Sequence, residues 1–263
     1  MSQIKNYVIS LSSATDRRVH ITNEFGKQGI AFEFFDAVTY HQIDEACATL
    51  NLPNIKATDN LANSEKGCLL SHVSLWQKML DENIAWLAIF EDDVHLGERA
   101  DLFLNHDDWL NADFGLLKIE HFYDKLSLGA ATTHHHGRAI HPLHSPNLGT
   151  AGYIIHHQTA KQLLQALQSV SHHDIIAIDH FMFGDGITDG QMTTAQLSPA
   201  LCIQSDRLNP NTPLQSDISH ERRTRMDKEK QKRTLMQKLK REFGRIFKQA
   251  NQDKDSMQTV EFR

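Results

Sequence analysis

Seven consecutive apolar residues, Ile84 to Phe90 (IAWLAIF), run without a spacer into three carboxylates, Glu91-Asp92-Asp93. An unbroken apolar run of this length between polar residues is the pattern of a central strand buried on both faces, so the chain must build a covered sheet around it. It is the longest such run in 263 residues and falls far short of the ~20 apolar residues of a membrane-spanning helix. Three adjacent like charges at the end of a buried strand repel one another, and a counter-cation resolves the conflict. In open α/β sheets ligands gather outside the carboxyl ends of the strands, where alternation puts Glu91 and Asp93 on one side and Asp92 on the other. Oxygen-only ligands suit Mn²⁺ or Mg²⁺, with positions left open for a diphosphate. A solvated acidic turn or a helix N-cap is the plain alternative.

Around this run the pattern alternates. Tyr7 to Leu11 (YVISL) is β-prone and breaks at SSATD, after which Arg17 to Gly26 reads as a helix closed by glycine. Phe32 to Val38 is a second strand candidate, and residues 41 to 60 a short helix plus loop. Beyond Gly67, apolar residues Leu69, Leu70, Val73, Leu75, Trp76, Met79 and Leu80 recur at close to helical spacing until Asp81-Glu82-Asn83. Phe114 to Ile119 forms a strand leading to Glu120, and Tyr153 to Ile155 another. Strands alternating with helices indicate an α/β sandwich around a mainly parallel sheet. Residues 126 to 147, with His134-His135-His136, His141, His144 and two prolines, read as a long irregular loop, a mobile acceptor loop in preference to a transition-metal site. Cys47, Cys68 and Cys202 are scattered and read as reduced thiols. The N-terminal MSQIKNYVISLSS does not read as a secretory leader, which suits a cytoplasmic protein.

Gly67 to Leu80 (GCLLSHVSLWQKML), followed closely by Ala88 to Val94 (AIFEDDV), resembles the signature of the bacterial lipooligosaccharide galactosyltransferases, glycosyltransferase family 25. YVISL with Arg17-Arg18, FFDAV (Phe34 to Val38) and GTAGYIIHHQTAKQLL (Gly149 to Leu164) match the same family in order, so the resemblance covers about residues 5 to 205. Ser64-Glu65-Lys66-Gly67 departs from the family's Gly-Glu-x-Gly run. The resemblance implies a GT-A type, Rossmann-like fold. It also implies inverting transfer of galactose or a related hexose from a UDP-sugar to a growing lipooligosaccharide, with a divalent ion on the acidic motif.

On that footing Asp93 is the preferred metal ligand, with Glu91 beside it, and Glu91 or Asp92 reaches the ribose or a metal-bound water. Asp179 is the leading general base for the acceptor hydroxyl, at the start of an apolar helical stretch, where an N-cap role would also explain it. Glu120 is the second candidate and could instead bind a sugar. Ser10, Leu11 and Arg17 lie at the first strand's end and in the next helix, positioned for uridine and phosphate, with Asp36 for uracil or ribose. Ser71 and His72, one turn after Gly67, support the nucleotide pocket, although His72 could equally be a buried structural histidine. Gly149 to Gly152 suit a close backbone approach to a sugar, and Phe122 and Tyr123 offer stacking surfaces.

The formal charge of −6 conceals two opposed parts. Residues 221 to 248 hold twelve lysines and arginines against four acids, a net of +8, leaving −14 for the rest. Leu235, Met236, Leu239, Phe243, Ile246 and Phe247 fall on one face of a helix whose other face is basic. Such a helix suits an anionic inner-membrane surface, with docking on its own domain or on a dimer partner as the rival reading and nucleic acid least favoured. The expected division is 1–218 for the transferase unit and 219–263 for the basic helix and tail, with Gln249 to Arg263 disordered. A non-catalytic nucleotide-sugar or carbohydrate-binding module of the same fold is the alternative function.

Overall fold

The computed structural model describes residues 4–111, 113–184, 193–209, 212 and 257–263. The chain opens with β1 (Lys5–Ser10), α1 (Thr15–Gly26) and β2 (Glu33–Asp36). A 3₁₀ turn at Tyr40–Gln42 leads into α2 (Ile43–Thr49), α3 (Pro53–Ala57) and the long α4 (Asn63–Asp81), then β3 (Trp86–Glu91), β4 (Val94–Leu96) and α5 (Asp101–Leu104). Next come β5 (Leu116–Lys118), β6 (Glu120–His121), β7 (Lys125–Ser127), β8 (Thr133–His135), β9 (Arg138–Pro142), β10 (Gly152–His156), α6 (His157–Ser169) and α7 (Ile178–Phe183). β11 (Thr194–Ser198), β12 (Cys202–Gln204), α8 (Ser205–Leu208) and β13 (Met257–Thr259) complete the described elements.

Eight strands form the central sheet in the order β2-β1-β3-β10-β5-β11-β9-β8. β1 pairs in parallel with β2 and β3, and β5 with β11, while β10 runs antiparallel between β3 and β5 and β9 antiparallel to β11 and β8. The sheet is therefore mixed, with β10 and β9 reversed among strands of common direction. The alternation of buried strands fills both faces. Tyr7, Ile9, Leu87, Ile89, Tyr153 and Ile155 point into a core shared with Leu69, Val73 and Trp76 of α4 and Leu163 of α6. Val8, Ala88, Phe90, Leu117 and Ile154 point into the other core, with Ile21 and Phe25 of α1 and Phe103 of α5.

Two expectations are corrected. Residues 126 to 147 are not an irregular loop, because β8 and β9 form a hairpin that extends the main sheet through the β9–β11 pairing. His135 and His136 pack edge-on against Trp109 and Phe103. Of the residues expected to be disordered, 257–263 are described and ordered. β13 pairs antiparallel with β7, Phe262 bridges Ala200, and Val260 is buried with Leu126, Leu128 and Leu143. Arg138 clamps this segment through hydrogen bonds to the backbone carbonyls of Arg263, Ala200, Pro199 and Glu98. The basic helix expected within 221–248 lies outside the described residues.

Candidate active site

The carboxyl ends of β1 and β3 open into a cleft of about 760 Å³. Its wall includes Ser10, Leu11 and Arg17, then Ser71 and His72 of α4, and all three residues of the acidic triplet. Eight of the residues singled out in the sequence thus share one cavity.

The triplet divides according to the elements behind it. Glu91 is the last residue of β3 and has the facing of Leu87 and Ile89, toward α4. There Oε1 accepts from Thr150 Oγ1 at 2.7 Å and lies 3.7 Å from His72 Nε2, too far for a hydrogen bond. Burial pushes the Glu91 carboxyl up, but His72 and Thr150 together hold it below the ordinary range. Asp92 faces α1, where Oδ2 accepts from Ser10 Oγ at 2.7 Å and Oδ1 from Arg17 Nη1 at 2.8 Å. Such charge-assisted bonds contribute about 1.5–3 kcal/mol each.

The chain turns at Asp92-Asp93 and β4 joins a second sheet, β4-β12-β6, so strand alternation ends at Glu91 instead of pairing Glu91 with Asp93. Asp93 is almost fully buried, and its carboxylate meets the Gln204 amide at only 3.3 and 3.5 Å. Burial, then Glu91, pushes its carboxyl well above the usual range, against the pull of Arg17. A buried carboxylate so weakly partnered, near two others in an oxygen-rich wall, fits a hard divalent cation. Softer donors stand near it: Cys68, His72 and Glu91 each offer a ligand atom within 4.8 Å of the others.

α4 is fitted to this wall by backbone contact. A Cβ at Gly67 would collide with the Val38 carbonyl, so glycine lets the β2 exit loop lie against the helix. Ser71 Oγ accepts from Val38 N at 2.8 Å and donates to Gly67 O at 2.7 Å. His72 Nδ1 lies 2.9 Å from the Tyr153 hydroxyl, which accepts from Trp76 Nε1 at 3.0 Å. If the hydroxyl proton goes to Nδ1, Nε2 carries the hydrogen that faces Glu91.

Glu120 and Asp179 lie outside the cleft wall, and both are buried. Glu120 Oε2 accepts from Lys118 Nζ at 2.9 Å and from Ala151 N at 3.1 Å, whereas buried Oε1 has no hydrogen-bond partner among the described residues. Burial raises the Glu120 carboxyl and Lys118 opposes it; burial likewise lowers the Lys118 ammonium and Glu120 opposes that. Lys118 also donates to the carbonyls of Leu148 and Gly149 and sits 4.5 Å from the Phe183 ring centroid. Asp179 is in the first turn of α7, accepts from His180 N at 2.9 Å, and its charge reaches both Glu91 and Lys118. The Glu120 side of the molecule is thus coupled electrostatically to the triplet.

Other sequence candidates fall elsewhere. Asp36 is exposed and ion-paired with Arg18, while its neighbours Ala37 and Val38 line the cleft. Gly149 has φ +85°, and a Cβ there would come within 2.8 Å of Glu120 Oε1. Gly152 lies against Cys202 Sγ, so both glycines are required by protein packing. Phe122 carries the Arg207 guanidinium, 3.6 Å from its ring centroid. Sequence reasoning missed Lys118 and Gln204, whose value lies in their partners, and Tyr40; it singled out Thr150 only for a close backbone approach to a sugar, whereas its hydroxyl donates to Glu91. Tyr40 is 61% exposed at the cleft with His41 against its ring, and its signal was an aromatic next to the FFDAV block.

Comparison with known proteins identifies the family. The chain is 34% identical to the lipooligosaccharide biosynthesis protein lex-1 of Haemophilus influenzae, over 97% of this chain and 94% of that protein. It is 38% identical to the lacto-N-neotetraose biosynthesis glycosyltransferase LgtB of Neisseria meningitidis, over 83% and 82%. It is 39% identical to the lipooligosaccharide biosynthesis protein lic2B of Haemophilus influenzae, over 88% and 87%. Residues 3–182 match the model of glycosyltransferase family 25, described as LPS biosynthesis proteins, and those residues contain the cleft, the triplet, Glu120 and Asp179. The chain belongs to glycosyltransferase family 25.

Proposed function

We propose that the chain is an inverting, divalent-metal-dependent hexosyltransferase of GT-A type. It would move galactose or glucose from a UDP-sugar to a lipooligosaccharide acceptor at the cytoplasmic face of the inner membrane. The observation that carries this reading is the contrast within the triplet: Asp92 is neutralised by Ser10 and Arg17, while Asp93 stays buried and nearly unpartnered in the same cleft.

Asp93 and Glu91 would hold Mn²⁺ or Mg²⁺, which when bound neutralises the charge that develops on the UDP leaving group. Leu11, Tyr40 and Val38 offer apolar and aromatic surface for uracil at the cleft mouth, and Ser10 and Arg17 keep Asp92 fixed beneath it. On the acceptor side Asp179 takes the proton of the attacking hydroxyl as its oxygen bonds to C1 and the C1–O bond to UDP breaks. Asp179 is favoured over Glu120 because Glu120 Oε2 is committed to Lys118 and Ala151. Glu120 then fixes the Gly149–Ala151 backbone beside Thr150, which holds Glu91.

The test is a screen of UDP-galactose and UDP-glucose for transfer or hydrolysis with and without Mn²⁺, repeated for Asp179→Asn. Metal-dependent turnover of one donor is expected, with kcat falling about 100-fold or more in Asp179→Asn and donor KM little changed. Metal-independent turnover would refute the cation role, and normal kcat in the variant would move the base to Glu120.

A further inference from the structure

A second group of metal-capable side chains stands apart from the cleft. His20 and Glu24 are four residues apart on α1 and therefore share one helix face, and His95 of β4 packs against them. One ligand atom from each lies within 4.8 Å of the others. The two imidazole rings meet at 4.6 Å between centroids, inclined by 65°. All three residues are half-buried, which leaves an ion a route from solvent.

The outer contacts favour ligation. His20 Nε2 is 2.8 Å from the Val94 carbonyl and so carries the hydrogen, leaving the lone pair on Nδ1. His95 Nε2 is 2.9 Å from Ser205 Oγ, and its Nδ1 faces Glu24 Oε2 at 3.9 Å. Metal-binding histidines are typically anchored in this way through the ring nitrogen that does not bind the ion. At 3.9 Å, His95 and Glu24 are too far apart for a hydrogen bond. Ligands on a tetrahedral ion with bonds of about 2.1 Å sit roughly 3.4 Å apart, so a small closure would seat one. The standing contacts of Glu24 are replaceable: Lys27 at 2.7 Å is largely exposed, and Leu96 N is at 3.2 Å.

We propose that His20, Glu24 and His95 form a transition-metal site, distinct from the oxygen-lined cleft, that takes Zn²⁺ or a similar borderline ion and ties α1 to β4. Two imidazoles and one carboxylate select such an ion over Mg²⁺, with water completing the shell. The site shares its scaffold with the cleft. α1 also carries Arg17, which holds Asp92, and Ser205 contacts His95 through Oγ and the Asp93 carbonyl through its N–H at 2.8 Å.

The experiment titrates the full chain with Zn²⁺, and separately with Co²⁺, in excess Mg²⁺. Stoichiometric binding is expected, with a rise in melting midpoint of about 5 °C or more at saturation. The Co²⁺ complex should lack a thiolate charge-transfer band. His20→Asn and His95→Asn should each weaken binding about 10-fold or more while melting like wild type in chelator. Glu24→Gln supplies the same comparison should either variant fail to fold. Unchanged affinity in all folded variants would overturn the proposal, as would absence of binding. A thiolate band that disappears in Cys68→Ser would overturn it too, by assigning the ion to Cys68, His72 and Glu91.

Discussion

Asp92 gives both carboxylate oxygens to donors from β1 and α1, whereas the carboxylate of Asp93, one residue on, has among the described residues only the Gln204 amide at the limit of hydrogen bonding. Burial therefore raises the Asp93 carboxyl, and its charge costs folding energy at neutral pH. Because the folded state holds this proton more tightly than the unfolded chain, the penalty is absent below the unfolded value near pH 4. It grows as pH rises from there toward the folded value. In chelator, Asp93→Asn should accordingly melt higher than wild type at pH 7–8, by on the order of 1–2 kcal/mol, with the gap closing toward pH 4 and activity lost. An equal or lower midpoint at pH 7–8 would contradict the assignment. The acidity and strand-end position of the triplet are plain in the sequence. The partners that divide it are not, because Ser10 and Arg17 lie 82 and 75 residues away and only the β1–β3 pairing brings them near. The same holds for Lys118, which reads as an ordinary lysine inside an apolar strand until the Leu148–Gly149 carbonyls and Glu120 surround it.

β3 and α4 are legible because each carries its own signal, a continuous apolar run in one and helical spacing in the other. α4 begins at Asn63, a turn ahead of the apolar pattern, with Glu65 accepting from Ala62 N at 2.9 Å to close that first turn. The β8–β9 hairpin and β13 lack any local signal. Their histidine- and proline-rich or very short sequences become strands only by pairing with β11 and β7. β13 brings buried Val260 and the Arg138 clamp with it. Ending the chain after residue 256 should therefore lower the melting midpoint by about 4 °C or more, since burial of one such side chain contributes about 1.5–3 kcal/mol. A midpoint unchanged by the truncation would mean that this strand is not a stabilising part of the fold.

Across the whole molecule, the chain leaves and returns to the basic stretch beside one place. Arg207 caps the Phe122 carbonyl and ring, and Met257–Thr259 pairs with Lys125–Ser127, immediately beyond Glu120. We infer that residues 221–248, with their net +8, meet an anionic surface. Among the described residues no helix is long and apolar enough to cross a membrane. Removing 221–248 while keeping 257–263 should lower binding to phosphatidylglycerol vesicles at least 10-fold and leave transfer to a soluble acceptor within about 2-fold. Undiminished vesicle binding would count against the inference. Whether the triplet holds a cation for a nucleoside diphosphate is decided by calorimetric titration of UDP into wild type and Asp93→Asn, each with and without Mn²⁺. Mn²⁺ should tighten UDP binding at least 10-fold in wild type and have no such effect in Asp93→Asn. Equally tight UDP binding without Mn²⁺, or the same Mn²⁺ dependence in both proteins, would contradict the cation role.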